Sequence, residues 1–417
     1  MRKSIITSYH HSFAGGSKNS SRLMHYLSQN GYDVEGYFYE TPQYFNYTIS
    51  KVKRVIFDSN FVYSEVIESE SIKNYLIANK IADCLKSAPQ QILFGANLFP
   101  YCNILLDAKI QNSGLNHSNP PLILHPVGSD IFQIGTHIKS RVKWLLDHPL
   151  VDRLITYSTS FVEDIKEYYD IKNEFTILHP FIEKESFFAI SEIEKQNRRK
   201  VVGLQEDDFI IHHHSSMRKI KCPKVVIDII NKASKLIYQN TILFMVGPIP
   251  WDILKEMKLH LIEISSPNSP FKFETKMGKL TIYWTGIISD IKFLLQISDV
   301  ELNASLYDSF NISLLEAMAC GIPVVTSDVV GIKEHVQKFD FGYCFPTRKL
   351  SFDKLNDILL SDKSNMPLFD IDYAVSSILS LAENKKSSNI RLEASKYVAE
   401  MFDINKAGNL FDKIFSF

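Results

Sequence analysis

The sequence is short of the residues that would mark an unusual protein. Its five cysteines, Cys84, Cys102, Cys222, Cys320 and Cys344, are scattered without a C-x-x-C pair. They make neither a disulfide framework nor a zinc ligand set, and they fit a reducing compartment. Sixteen glycines and sixteen prolines in 417 residues fall below average usage, which argues against long disordered linkers. No apolar run approaches the ~18 residues that span a bilayer. The apolar stretch after Met1-Arg2-Lys3 is too short for a signal peptide. Charge of one sign is also missing. The formal net charge is −1, without the global positive excess of a duplex-binding protein. Together these absences predict a cytoplasmic protein with no nucleic-acid partner, whose closest approach to a membrane is peripheral contact with the inner face.

What the chain does contain is alternation. Its length suggests two domains. In the first half, Ser4–Ser8, Asp33–Tyr39, Gln91–Phe94, Leu122–His125 and Arg153–Tyr157 read as strands, with a helix over Ser17–Gln29. In the second half the strands are Phe209–His213, Thr241–Val246, Leu280–Thr285, Val300–Asn303 and Pro323–Thr326, with helices over Pro223–Leu236 and Asp290–Gln296. Strands alternating with amphipathic helices predict an α/β protein of two doubly wound, Rossmann-like domains. We expect the change-over near Pro180–Lys195, giving a first domain over 1–185 and a second over 186–402, with a C-terminal helix at about 403–417 packing back on the first. Doubly wound sheets bind ligands beyond the carboxyl ends of their strands, so an interdomain cleft is expected. The polar, Pro-interrupted stretch Ser265–Lys279 reads as a surface excursion, with a functional lid as the alternative.

The strongest local signal runs from Asn303 to Val325. Ser309 reads as an N-cap, Gly321 as the glycine after a helix end, and Pro323 as the stop. The amides of Ser309, Phe310, Asn311 and Ile312 would then form an anion site at the sheet's binding edge. Asp308 and Glu316 bracket this helix, roughly 12 Å apart at 1.5 Å per residue, a spacing that suits two hydroxyl-rich groups joined by a diphosphate. Each acid also has a plain reading, as a dipole partner or a solvent-facing side chain. Glu316, however, is embedded in Leu314, Leu315, Ala317, Met318 and Ala319, where a carboxylate is rarely buried without a partner.

This stretch resembles the E-x7-E region of retaining GT-B glycosyltransferases, especially glycosyltransferase family 4. The family reads approximately E-S-F-G-x-x-x-x-E-A-M-A-x-G-x-P-V-V. Here the sequence is Asp308-Ser309-Phe310-Asn311, then Glu316-Ala317-Met318-Ala319-Cys320-Gly321-Ile322-Pro323-Val324-Val325, and Val330-Gly331-Ile332-Lys333-Glu334 follows in place of G-G-x-x-E. Arg218 and Lys221 are similar to the basic pair that clamps the donor diphosphate; read alone, they make a solvated basic turn. Gly247 and Thr285 stand where such proteins line the base pocket. Phe13-Ala14-Gly15-Gly16-Ser17 resembles the family's glycine loop, and His125 with Gly128-Ser129-Asp130 resembles its H-G-S-D segment. Three positions depart from the pattern: Asp308 replaces the first Glu, Asn311 replaces a Gly, and Val127 stands where a His would precede the Gly.

The resemblance implies retaining transfer of a sugar from a nucleoside-diphosphate sugar to a carbohydrate, lipid-linked or small-molecule hydroxyl acceptor, with no cofactor and no metal. In it, Arg218, Lys221, Asp308 and Glu316 act on the donor, Gly16, Gly247, Thr285 and Ser309–Ile312 line its site, and Ser17, His125 and Asp130 lie on the acceptor side. An epimerase or phosphorylase on the same fold, or a non-catalytic nucleotide-sugar-binding partner, are the rival readings. Two further features draw the eye. His212-His213-His214 alternate faces on a strand and do not converge on one ion. The basic helix His137–Leu146 is expected to pack Trp144 and Leu145 inward rather than to dock on a membrane.

Overall fold

The computed structural model describes residues 4–8, 15–38, 52–56, 78–79, 81–83, 85–86, 91–113, 119–128, 131, 139–266, 269–288, 290–338, 341–360, 368–383 and 388–416. The chain divides into two compact units, residues Met1–Phe181 with Ala407–Phe417, and Ile182–Lys406.

The first unit is built on parallel strands β1 (Ser4–Ser8), β2 (Asp33–Phe38), β3 (Val52–Ile56), β4 (Gln91–Ala96), β5 (Leu122–His125), β6 (Arg153–Thr156) and β7 (Phe175–Ile177), in the order β3-β2-β1-β4-β5-β6-β7. Every residue of β4 and β5 is buried, as expected of central parallel strands covered on both faces. Helices α1 (Gly15–Gln29), α2 (Asn103–Ser113), α3 (Lys139–Leu146) and α4 (Thr159–Tyr169) belong to this unit. On α3 the inward residues are Val142, Leu145 and Leu146. Trp144 is instead half exposed and meets His148 edge-on at 4.8 Å, because it lies one position off the buried face.

The second unit begins with α5 (Glu192–Val201). The order of its sheet is β10-β11-β12-β9-β8-β13-β14-β15, from β8 (Phe209–His214), β9 (Thr241–Val246), β10 (Ile262–Glu263), β11 (Phe273–Met277), β12 (Leu280–Gly286), β13 (Val300–Asn303), β14 (Val324–Ser327) and β15 (Gly342–Phe345). Helices α6 (Pro223–Ser234), α7 (Trp251–Glu256), α8 (Lys292–Ile297), α9 (Ile312–Ala319), α10 (Lys333–Gln337), α11 (Phe352–Leu360), α12 (Ile371–Glu383) and α13 (Ser388–Met401) follow, and α14 (Gly408–Phe415) returns to the first unit. There Phe411 packs on Tyr26 and Phe181, at 5.1 and 5.5 Å between rings.

The stretch Ser265–Lys279, expected as a surface excursion, contributes an element to the sheet. β11 pairs antiparallel with β12 through Phe273↔Trp284 to Met277↔Leu280, and Phe271 stacks on Tyr283 at 4.6 Å. The polar residues that suggested a loop are the solvent-facing half of an antiparallel strand near the sheet's edge. Registers across the sheet align Tyr283, Phe244, His212, Glu301 and Val324 in one row. Among the described residues no helix is long and apolar enough to cross a membrane.

Candidate functional site

The chemistry-bearing residues of the second unit gather where β8 and β13 end. Alternation along β8 splits its three histidines. His212 faces Glu301, while His213 turns the other way, its Nδ1 2.8 Å from the Leu302 carbonyl and its Nε2 2.9 Å from Ser215 Oγ. After His214 the chain folds tightly through Met217 (φ 53°) and Cys222 (φ 44°). This fold needs Gly247, since a Cβ there would lie 2.1 Å from the Ser215 carbonyl oxygen, and the φ of +142° already favours glycine. Arg218 is exposed and donates from Nε to Ser216 Oγ at 3.1 Å. Lys221 closes a single 3-10 turn, and its ammonium pairs with the Asp308 carboxylate.

Asp308 anchors the turn into α9. Its Oδ1 accepts the amides of Phe310 and Asn311 at 3.2 and 3.0 Å, and its carbonyl accepts the Gly331 amide at 2.9 Å. The helix starts later than the sequence suggested. Asn311, not Ser309, is the N-cap; its Oδ1 takes the Ser313 hydroxyl at 2.7 Å and faces the Leu314 amide at 3.5 Å. The reason is backbone shape. Asn311 sits at φ 73°, a left-handed conformation that asparagine tolerates better than most residues, so it can occupy the position where the resembling pattern has glycine. Two corrections follow. The amides expected to be open at Phe310 and Asn311 are engaged by Asp308; in the first turn Ile312, Ser313 and Leu314 have no intrahelical carbonyl to bond, and Leu314 faces the Asn311 side chain. Because residues 308–311 are not helical, the roughly 12 Å helical spacing of Asp308 and Glu316 does not apply. Phe310 is a core residue, its ring 5.7 Å from that of Phe402, and Ser309 is also buried.

Glu316 is 2% exposed, with Oε2 3.9 Å from His214 Nδ1. Behind this pair lies a second acid that the motif reading missed. Glu301 is fully buried in β13; one oxygen meets His212 Nδ1 and the other accepts the His214 amide at 3.2 Å. The signal was present, for Val300-Glu301-Leu302-Asn303 places an acid inside a strand that is otherwise core. Burial raises the Glu301 pKa well above the usual carboxylate range, and the nearby Glu316 carboxylate pushes the same way. Burial also lowers His212 to about 3 despite the pull of Glu316.

Along the same edge, Thr285 is buried and its hydroxyl donates to the Gly286 carbonyl at 2.7 Å, an oxygen that also accepts the Gly247 amide at 3.1 Å. Lys272, from the segment leading into β11, drapes over Gly286, its ammonium 3.1 Å from where a Cβ would stand. Sequence reasoning did not single it out.

Gly16 and Ser17 lie in the opening turn of α1. His125 ends β5 and is fully buried, edge-on to Tyr157 at 4.6 Å, with neither ring nitrogen bonded among the described residues. Burial lowers its pKa to about 3. Asp130, with Phe13, Ala14 and Ser129, lies outside the described residues.

Against known proteins, residues 194–368 match the model of the family described as glycosyl transferases group 1. N-acetyl-alpha-D-glucosaminyl L-malate synthase of Bacillus anthracis is 26% identical over 219 residues, 52% of each chain. The putative glycosyltransferase EpsD of Bacillus subtilis (strain 168) is 26% identical over 166 residues, 39% of each. The chain thus spans about half the length of these relatives or less. Among solved structures, sucrose-phosphate synthase from Thermosynechococcus elongatus superposes with a TM-score of 0.69 at 14% identity, with all of both chains covered. A glycosyltransferase from Rickettsia africae ESF-5 gives 0.66 at 16%, covering 100% of this chain and 99% of its own. The Anabaena protein Alr3699/HepE, in complex with UDP and glucose, gives 0.63 at 15% over the whole of both chains. The fold is that of the GT-B glycosyltransferases.

Proposed function

We propose that this chain, with its GT-B fold and its glycosyl transferases group 1 segment, is a retaining hexosyltransferase of family 4 type that uses a nucleoside-diphosphate sugar, by preference a UDP-sugar. The observation that carries the reading is the Lys221–Asp308 pair at the amino end of α9, with Glu316 buried in the same helix. Breaking the donor's anomeric bond leaves a nucleoside diphosphate. Its growing charge is met by Lys221, Arg218 and the amides of Ile312 and Ser313, all preorganised before the reaction. Lys221 shares its donors between Asp308 and a phosphate oxygen. Glu316 accepts from the ribose hydroxyls and Asp308 from those of the sugar. The departing phosphate takes the acceptor's proton.

Gly247, Thr285 and Gly286 line the base side. Lys272 offers three donors and no acceptor, so it suits a keto oxygen of uracil better than the amino group of adenine; the UDP in the Anabaena structure supports the same preference. Gly16 belongs to the donor's diphosphate, and Ser17 and Asp130 to the acceptor side; His125, fully buried against Tyr157, is a packing residue and not an acceptor contact. The acceptor is a hydroxyl of a saccharide, a lipid-linked saccharide or a small metabolite. L-malate in the name of the Bacillus anthracis relative puts hydroxy acids in the panel to be tried. The side-chain cations take the place of a divalent metal, and a cytoplasmic site of action fits the scattered cysteines.

The test is calorimetric binding of UDP-, GDP- and ADP-sugars, followed by transfer to an acceptor panel with and without chelator. A UDP-sugar should bind, and NMR should show transfer with unchanged anomeric configuration and no loss on chelation. Conversion of donor alone would make the protein an epimerase, and turnover that needs phosphate a phosphorylase. Binding without transfer to any acceptor would make it a binding partner. Failure of every donor to bind would overturn the reading.

A further inference from the structure

Two carboxylates buried beside a site for an anionic ligand should repel it and each other. Glu301 and Glu316 are 0% and 2% exposed, and both meet the row of histidines on β8. Glu316 has a place in the donor site as read above. Glu301 has none, yet it occupies the centre of a parallel strand, where an apolar side chain would otherwise pack. Its two oxygens are both engaged, one by His212 Nδ1 and one by the His214 backbone amide. His212 is fully buried, and its Nε2 has no partner among the described residues.

The groups facing Glu301 are His212 and His214 from β8 and Glu316 from α9. Its cross-strand neighbour on the other side, Val324 of β14, carries no charge, and neither does Phe244, which lies beyond His212 on β9. An ionised Glu301 would bury a second negative charge next to Glu316. An imidazolium partner would relieve this only by burying a cation as well, and dry ion pairs rarely repay their desolvation. A neutral acid avoids both costs. Its hydroxyl donates to His212 Nδ1, and its carbonyl oxygen accepts the His214 amide. The end of β8 is then tied to β13, and the His214 ring stands 3.9 Å from Glu316.

We propose that Glu301 is a positioning residue of the donor site: as a neutral acid it binds His212 and the His214 amide together, holds His214 against Glu316, and leaves the site one carboxylate instead of two. This rests on the reading of Glu316 as a donor ligand. The same geometry gives donor affinity a direction with pH. Raising pH removes the Glu301 proton, restores the second negative charge and weakens binding of the anionic donor.

Glutamine separates the possible proton positions. Its amide N–H can replace the acid hydroxyl as donor to His212 Nδ1, and its oxygen can still accept from His214. If Glu301 were ionised and His212 the donor, glutamine would leave a buried N–H group facing another donor. The experiment measures UDP and UDP-sugar affinity, melting temperature and KM against kcat for wild type, Glu301→Gln and Glu301→Leu between pH 6 and 9. Glu301→Gln should stay within about threefold of wild type at pH 6 and lose the alkaline decline. Glu301→Leu should weaken the donor about tenfold, the effect of one lost positioning interaction, through KM more than kcat. A folded Glu301→Leu with wild-type affinity, or a Glu301→Gln that binds as poorly as leucine, overturns the proposal. Should Glu301→Leu not fold, Glu301→Gln decides alone: affinity within about threefold of wild type at pH 6 sustains the proposal, and a roughly tenfold loss there overturns it. Wild type that binds no nucleotide sugar would refute the function and not this arrangement, which the pH dependence of melting in Glu301→Gln would still report.

Discussion

Each unit carries a buried histidine at or near the end of a central strand, and the two are treated in opposite ways. His125 closes β5 among aromatic rings, with neither nitrogen bonded among the described residues. His212 lies near the end of β8 against Glu301, one step from His214 and Glu316. Both are held neutral by burial, with pKa values of about 3. The same desolvation therefore has two meanings. In the first unit it stands by itself, and in the second it is part of a network whose members depend on each other. A histidine's motif position and its depressed pKa do not tell these apart; its partner does.

Substitution should make the contrast visible. The largest effect is expected from His212→Leu, which leaves the buried Glu301 hydroxyl without its acceptor and should cost up to about 3 kcal/mol by denaturant titration. A loss under about 1 kcal/mol would mean that the pair contributes little. Next come Lys221→Ala and Glu316→Ala. Removing one preorganised group should lower transfer about 100-fold, about 2.7 kcal/mol, with melting little changed; wild-type turnover by either would remove it from the site. His125→Leu should lie within about 1 kcal/mol of wild type or be slightly more stable, because it removes polar atoms without a described partner. A loss as large as that for His212→Leu would erase the distinction between the two sites.

The smallest effect is on pH dependence. His125, His212 and His213 all have folded pKa values near 3, against about 6.5 unfolded. Below 6.5 the unfolded chain binds more protons, so their stabilising contribution is complete above that value and declines as pH falls toward 3. His125→Leu should flatten the acid limb of melting temperature between pH 7 and 4 by one histidine's share. An unchanged limb would show that His125 is solvated.

Much of this was legible in the chain. Strands such as Leu122–His125, Thr241–Val246 and Val300–Asn303 carry continuous apolar runs, and their positions follow from burial on both faces. β11 was not legible, because an antiparallel strand one place in from the edge keeps a polar face that looks like a loop. The burial of Glu316 followed from its apolar flanks, and the location of Asp308 from its motif. Where the helix between them begins did not, since Asn311's left-handed turn shifts the start by two residues, and turn geometry is only weakly encoded in residue type.

By itself, then, the sequence determined the alternation of elements, the two-unit architecture and the residue types at the carboxyl edge of the second sheet, because hydrophobic period and helix punctuation are local properties. Only the tertiary structure decided the partnerships: Lys221 with Asp308, His214 with Glu316, and Glu301 with His212. Those pairs lie 87, 102 and 89 positions apart, from 308 − 221, 316 − 214 and 301 − 212. They meet because parallel strands bring their carboxyl ends to one edge, a consequence of chain topology that no local pattern records.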